Sequence, residues 1–205
     1  MTDDLIQQPI YDAVTKCTAC AIRKEAKRPL PPEGPRQSTV LIVGQNPGHD
    51  EERAGRIFIG PSGDELNLWL RSMGVDRRAV AITNIVLCHT EKNRAPRVTE
   101  TRFCAEQWLP QTIALLPNLR VIFALGRAAH SAVLPKIGVP LLDMAAHRVR
   151  HETAAGPREF TVYPLVHPAY ILRMPGERKR QIAVLSQVRD HWAREDPESY
   201  HAVRI

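Results

Sequence analysis

Short apolar runs, each closed by a polar or glycine-marked turn, recur along the chain. Thr39-Val-Leu-Ile-Val43 has no polar break and reads as a short buried strand, ending in the turn Gly44-Gln-Asn-Pro-Gly48. Ser62 followed three residues later by Glu65 has the form of a capping box and predicts a helix start. Val80–Val86 reads as a second strand, and Thr99 opens a helix running towards Leu116. Leu119–Leu125 is the third strand, followed by Gly126 and a short Ala-rich helix. Phe160–Val166 is the fourth; Pro164 has no N–H for the ladder, which predicts an edge position or a bulge. A basic amphipathic helix from Arg178 to Arg194 closes the series. Strands alternating with helices in this way predict a parallel sheet covered on both faces.

Residues 1–38 depart from that rhythm. A short helical candidate precedes Cys17-Thr-Ala-Cys20, and a basic stretch with Pro29, Pro31, Pro32 and Pro35 follows. Proline neither continues a helix nor donates to a central ladder, so the segment reads as an arm wrapped around a core at 39–205, the two forming one domain. A length of 205 residues suits that organisation. No apolar run approaches the ~20 residues of a membrane-spanning helix. The acidic start Met1-Thr2-Asp3-Asp4 has no apolar leader core, so a cytoplasmic location is expected. A net charge of +6 suits a polyanion, nucleic acid first.

In an open parallel sheet, ligands bind beyond the carboxyl ends of the strands. The residues there are Gly44–Gly48, Asn84, Gly126 and His167-Pro168. Neither a phosphate-binding G-x-x-x-x-G-K-[ST] loop nor a dinucleotide G-x-G-x-x-G follows the first strand. Cys17-x2-Cys20, Cys88 and Cys104 point to a metal site, since cysteines of a cytoplasmic chain serve more often as ligands than as disulfides. Zinc sites favour two close pairs where only one exists here, and four spread thiolates suit a [4Fe–4S] cluster at least as well.

These residues resemble a known family. Gly44-Gln-Asn-Pro-Gly48 with Gly55-Arg-Ile-Phe-Ile-Gly60, Thr83-Asn-Ile-Val-Leu-Cys88, Asn93-Arg-Ala-Pro96, Ala124-Leu-Gly-Arg127 and His167-Pro-Ala-Tyr-Ile-Leu-Arg173 are similar, in order and spacing, to motifs of the iron–sulfur (family 4) uracil-DNA glycosylases. The resemblance implies a three-layer α/β/α fold with a four-stranded parallel sheet. It implies a [4Fe–4S] cluster on Cys17, Cys20, Cys88 and Cys104, and a monomer working at the nucleoid in base-excision repair. The reaction would be hydrolysis of the N-glycosidic bond of a flipped-out uracil nucleotide in DNA, leaving an abasic site.

Site residues follow from the same resemblance. Asn46 would hold the attacking water, and His167 would donate to the departing base. Gly44, Gln45 and Gly48 would border the base, Phe58 would stack on it and Asn84 would read its pairing edge. Arg94, Arg173 and the Arg178-Lys179-Arg180 run would meet phosphates. Taken singly, an Asn at a strand end often only satisfies backbone groups, and Phe58 fits an ordinary core. His49, His147 and His151 read as loop histidines, and Asp50-Glu51-Glu52 as a solvated acidic loop.

Several positions leave the family pattern. Gln45 and Asn46 stand where family 4 usually has Glu and a small residue. Asn46 before Pro-Gly resembles the mismatch-specific uracil/thymine glycosylases, whose Asn orients water without taking its proton. Gly48 stands where other relatives place a Tyr against the thymine methyl, which implies room at C5 and a specificity extending to C5-modified bases. Leu87 replaces a usual Lys, and the absence of an Arg-rich insertion between Cys88 and Pro96 argues against covalent capture of DNA. Two other readings remain: a non-catalytic iron–sulfur DNA-binding protein on the same scaffold, and a zinc-stabilised nucleic-acid module.

Overall fold

The computed structural model describes residues 5–134, 145–153 and 156–205; the first four residues of the arm lie outside them. The elements follow in the order α1 (Gln7–Thr15), α2 (Ala21–Glu25), β1 (Val40–Gly44), α3 (His49–Ala54), α4 (Pro61–Ser72), β2 (Ala81–Asn84), α5 (Val98–Ala114), β3 (Val121–Leu125), α6 (Gly126–Val133), β4 (His147–Thr153), β5 (Gly156–Leu165), α7 (Pro168–Arg173), α8 (Arg178–Glu195) and α9 (Pro197–His201). The sheet has five strands in the order β2-β1-β3-β5-β4. Four run parallel, and β4 pairs antiparallel with β5 at one edge. The expected four-stranded parallel sheet is therefore present with one strand added.

Burial on both faces follows from the uninterrupted apolar strands. On β1, Leu41 and Val43 enter one apolar cluster, with Trp108 and Ile113 of α5 and the arm residues Ile10 and Ile22. Val40 and Ile42 enter the other, with Trp69 of α4 and Leu185 and Trp192 of α8. Alternate residues of one strand thus hold two helical layers to one sheet.

Pro164 lies inside the sheet, opposite Ala124 of β3. Its tolerance has a simple cause: the β4 pairing stops at His147 opposite Val162, so among the described residues no strand lies beside Pro164 on that side. The expected helix start at Ser62 is displaced. α4 begins at Pro61 after Gly60 with no side-chain cap. Glu65 instead accepts from Trp69 Nε1 (2.8 Å) and from Arg178 Nη2 (2.7 Å). That ion pair takes Arg178 out of the basic run expected to meet phosphates.

The arm lies along the outer edge of β2 and its following loop. Glu33 and Ile82 exchange both backbone hydrogen bonds, and the Leu30 N–H donates to Leu87 O (2.7 Å). Asp50-Glu51-Glu52 is no solvated loop: it lies in α3, with Glu51 and Glu52 buried.

Candidate active site

The motif loops meet at the carboxyl ends of β1, β2 and β5. Past the end of β2, the Ile85 and Val86 N–H groups donate to Gly44 O and Gln45 O, so the two loops close side by side. Between them and α7 lies a cavity of about 240 Å³. Every expected base-contacting and catalytic residue except Gly44 lines it, together with Arg173.

Gly44 lies just beneath. A Cβ there would stand 2.4 Å from Asn84 Oδ1 and 2.7 Å from the Phe58 ring, so only glycine lets both side chains close over the strand end. Phe58 is buried, with its backbone in the left-handed region (φ 52°), and its ring lies 5.9 Å from that of His167 at 27°. Asn84 is buried, and its Oδ1 has no hydrogen-bond partner among the described residues. A desolvated amide oxygen without a donor is costly unless a ligand supplies one.

His167 caps α7. The Ala169 N–H donates to its Nδ1 (3.2 Å), which fixes Nδ1 as acceptor and leaves the ring proton on Nε2. Burial, aided by the nearby Arg173 charge, lowers its pKa to about 4. The ring at neutral pH is an uncharged donor. Asn46 spends Nδ2 inside the protein, on Pro47 O (3.0 Å) and Thr90 Oγ1 (3.4 Å), so its Oδ1 remains as an acceptor.

Glu51, expected in a solvated acidic loop, and Asn93, expected to have no role of its own, both line the cavity. Glu51 Oε1 accepts from the Gly60 N–H (2.9 Å), and Oε2 lies 2.6 Å from where a Gly48 Cβ would be. The space that Gly48 leaves is thus taken by a carboxylate rather than left open. Its one sequence signal is a position in the first turn of a helix starting after Gly48.

The arginines differ. Arg173 is exposed at the rim of the cavity. Arg94 is engaged: Nη1 and Nη2 donate to the two Glu100 oxygens (2.8 and 3.0 Å), and Nη2 also to Glu25 Oε2 (3.3 Å). A phosphate would have to compete with two carboxylates. Arg94 instead ties α2 of the arm to α5.

Cys17, Cys20, Cys88 and Cys104 are all free thiols packed against one apolar cluster. Burial pushes Cys88 up to about 12, with Cys104, Cys20 and Cys17 adding to the rise. Cys104 rises to about 11, again by burial first, against a hydrogen bond from the Leu87 backbone. Cys88 and Cys104 therefore lie within electrostatic reach of Cys17 and Cys20. Among the described residues, no three His, Cys, Asp or Glu side chains form a group able to hold a single metal ion. No helix among them is long and apolar enough to cross a membrane.

Comparison with known proteins agrees with this geometry. A type-4 uracil-DNA glycosylase of Pyrobaculum aerophilum is 33% identical over 183 residues, 86% of this chain and 91% of its own. One from Thermotoga maritima is 30% identical over 183 residues, covering 89% and 92%. A type-5 enzyme of Thermus thermophilus is 36% identical over a shorter 138 residues, covering 60% and 61%. Residues 31–189 match the family model described as the uracil DNA glycosylase superfamily, a span that includes the whole cavity. With most of its length matching the family model, the chain belongs to the uracil DNA glycosylase superfamily.

Proposed function

We propose that this chain is a monofunctional DNA glycosylase that hydrolyses the N-glycosidic bond of uracil in DNA, leaving an abasic site for base-excision repair. The observation that carries the reading is the neutral, tautomer-fixed His167 lining a cavity in which, among the described residues, Asn84 Oδ1 lacks a donor. Uracil supplies that donor at N3–H. Its ring stacks on Phe58, and its O2 accepts from His167 Nε2.

As the bond from C1′ to N1 lengthens, its electron pair passes to the base, and negative charge collects on O2. A preorganised neutral donor stabilises that charge without first losing a proton, an effect worth roughly 2.7–4 kcal/mol. The sugar becomes oxocarbenium-like, and Asn46 Oδ1 orients a water towards C1′. Asn cannot take the proton, which passes to solvent after C–O bond formation. The base leaves as its anion and takes a proton back from solvent, so the products are the free base and an abasic deoxyribose. In this use of Asn, the first motif follows the mismatch-specific enzymes more than family 4.

The four cysteines would hold a [4Fe–4S] cluster. The donor set fits: four free thiols, one shared apolar locality and a backbone donor to one sulfur. The cluster's contribution would be structural, pinning the arm and the loop after β2 to α5. DNA would lie across the Arg173 rim, with the protein acting as a monomer.

The test is base release from single- and double-stranded oligonucleotides carrying uracil, followed by alkaline cleavage. Cleavage by wild type that is lost in Asn46→Ala and His167→Ala supports the reading. Intact DNA binding with no base released from any substrate would leave a binding protein on a glycosylase scaffold.

A further inference from the structure

His89 is buried immediately after Cys88, and no role in binding or chemistry has been given to it. Its Nε2 lies 3.0 Å from Asn93 Oδ1, and its Nδ1 lies 3.5 Å from Glu52 Oε2. Glu52 is itself buried, and its Oε1 accepts from the Lys27 N–H of the arm (2.7 Å). A line of contacts therefore runs from the arm through Glu52 and His89 to Asn93, whose side chain lines the base cavity.

Asn93 needs such a hold. It is exposed at the end of a turn in which both Lys92 and Asn93 adopt positive φ (54° and 55°). An exposed amide has several accessible rotamers and two ends of opposite hydrogen-bonding sense. Whichever ring nitrogen carries the proton, the Nε2 contact occupies one end of the amide and leaves the other for the cavity. Asn93 Oδ1 stands 4.0 Å from the Gly48 Cβ position, on the side where the Glu51 carboxylate lies. The amide is thus held against the lining of the cavity, beside Gly48.

We propose that His89, braced by Glu52, is a positioning residue that locks the Asn93 side chain in the orientation substrate meets. The proposal rests on the glycosylase reading of the cavity. His89 touches no substrate; it acts through Asn93, so its effect should vanish when Asn93 is absent.

The experiment is a double-mutant cycle in single-turnover uracil excision, using wild type, His89→Ala, Asn93→Ala and the double variant. A lost neutral hydrogen bond corresponds to roughly a tenfold fall in rate. His89→Ala should lose about that factor, and the double variant should be no slower than Asn93→Ala alone. His89→Gln, which keeps an N–H at similar reach, should recover most of the loss. Multiplicative losses, or no recovery by Gln, would overturn the proposal. Absorbance near 400 nm checks the cysteine site in parallel; loss of a wild-type band in His89→Ala would assign His89 to that site instead. A crystal structure of His89→Ala gives a readout independent of activity. Asn93 should leave its rotamer, and an unmoved Asn93 would refute the lock. An inactive wild type would refute the glycosylase reading, while the crystal structure would still decide the lock.

Discussion

His167 serves two purposes that can be separated. In the proposed reaction its Nε2–H donates to the base, while its Nδ1 accepts the Ala169 N–H and caps α7. His167→Ala removes both. Loss of a preorganised donor to a developing oxyanion is expected to slow base release by about 10²–10³. Loss of the cap costs about 1 kcal/mol, which for a chain of this size lowers Tm by roughly 2–4 °C. His167→Asn keeps a good N-cap oxygen but falls short of the base. It should therefore match His167→Ala in lost rate while keeping a Tm near wild type. Single-turnover excision of uracil and thermal melts of the three proteins read the two effects separately. A His167→Asn variant within threefold of wild type would refute the assignment of Nε2–H to the leaving base. The pH dependence has a definite sign. The folded-state pKa of about 4 lies below the ordinary value of 6.5, so the unfolded chain takes up this proton first as pH falls. The contribution to stability is whole above about pH 6.5 and is lost as pH drops towards 4. His130, buried against Ala124 O and Leu165 O and also lowered by burial, adds a loss of the same sign. His167→Asn should flatten this acid slope without abolishing it.

Three further outcomes are expected. Glu51→Ala should widen the cavity beside Gly48 and admit thymine from G·T mismatches or 5-hydroxymethyluracil, while Glu51→Gln should not; unchanged base selectivity in Glu51→Ala would show that the carboxylate does not set it. Arg173→Ala should weaken DNA binding and reduce the slope of log affinity against log salt by about 1. Arg94→Ala should leave that slope unchanged but lower Tm, and a salt slope altered equally by both would place Arg94 on the DNA. Cys104→Ser should abolish any brown absorbance near 400 nm and destabilise the fold; a colourless wild type containing stoichiometric zinc would replace the cluster with a zinc site.

The edge of the sheet that carries the cavity was legible in the sequence because strand ends are marked locally. An apolar run stops, and a Gly, Asn or His-Pro follows, as at Gly44, Asn84 and His167. What escaped was set by residues far apart in sequence. Glu51 reads as solvated because neighbouring Asp50 and Glu52 are acidic; its burial depends on the Gly60 N–H, nine residues on. Ser62 and Glu65 satisfy a local capping rule, but Glu65 is taken by Arg178, 113 residues away. Strand β4 carries His147, Arg148, Arg150 and His151, too polar for a hydrophobic period, and exists through its long pairing with β5. Arg94 follows Asn93 in a motif that resembles a DNA-contacting one, and its carboxylate partners come from α2 and α5.

The arm along β2 bears on how this protein would fail. A sheet edge with unpaired backbone groups is a template for another chain, and folded proteins blunt such edges or cover them. At one end of this sheet, β4 carries Arg148 and Arg150, whose charge discourages pairing. At the other, the backbone bonds of Glu33 to Ile82 and of Leu30 to Leu87 form the cover. Arm and core are further joined at α2 by Arg94 and by the cysteine site. Oxidative damage to those thiols would therefore do more than inactivate single molecules: it would uncover a sticky edge and favour precipitation. Purification under anaerobic conditions would then preserve solubility as much as activity.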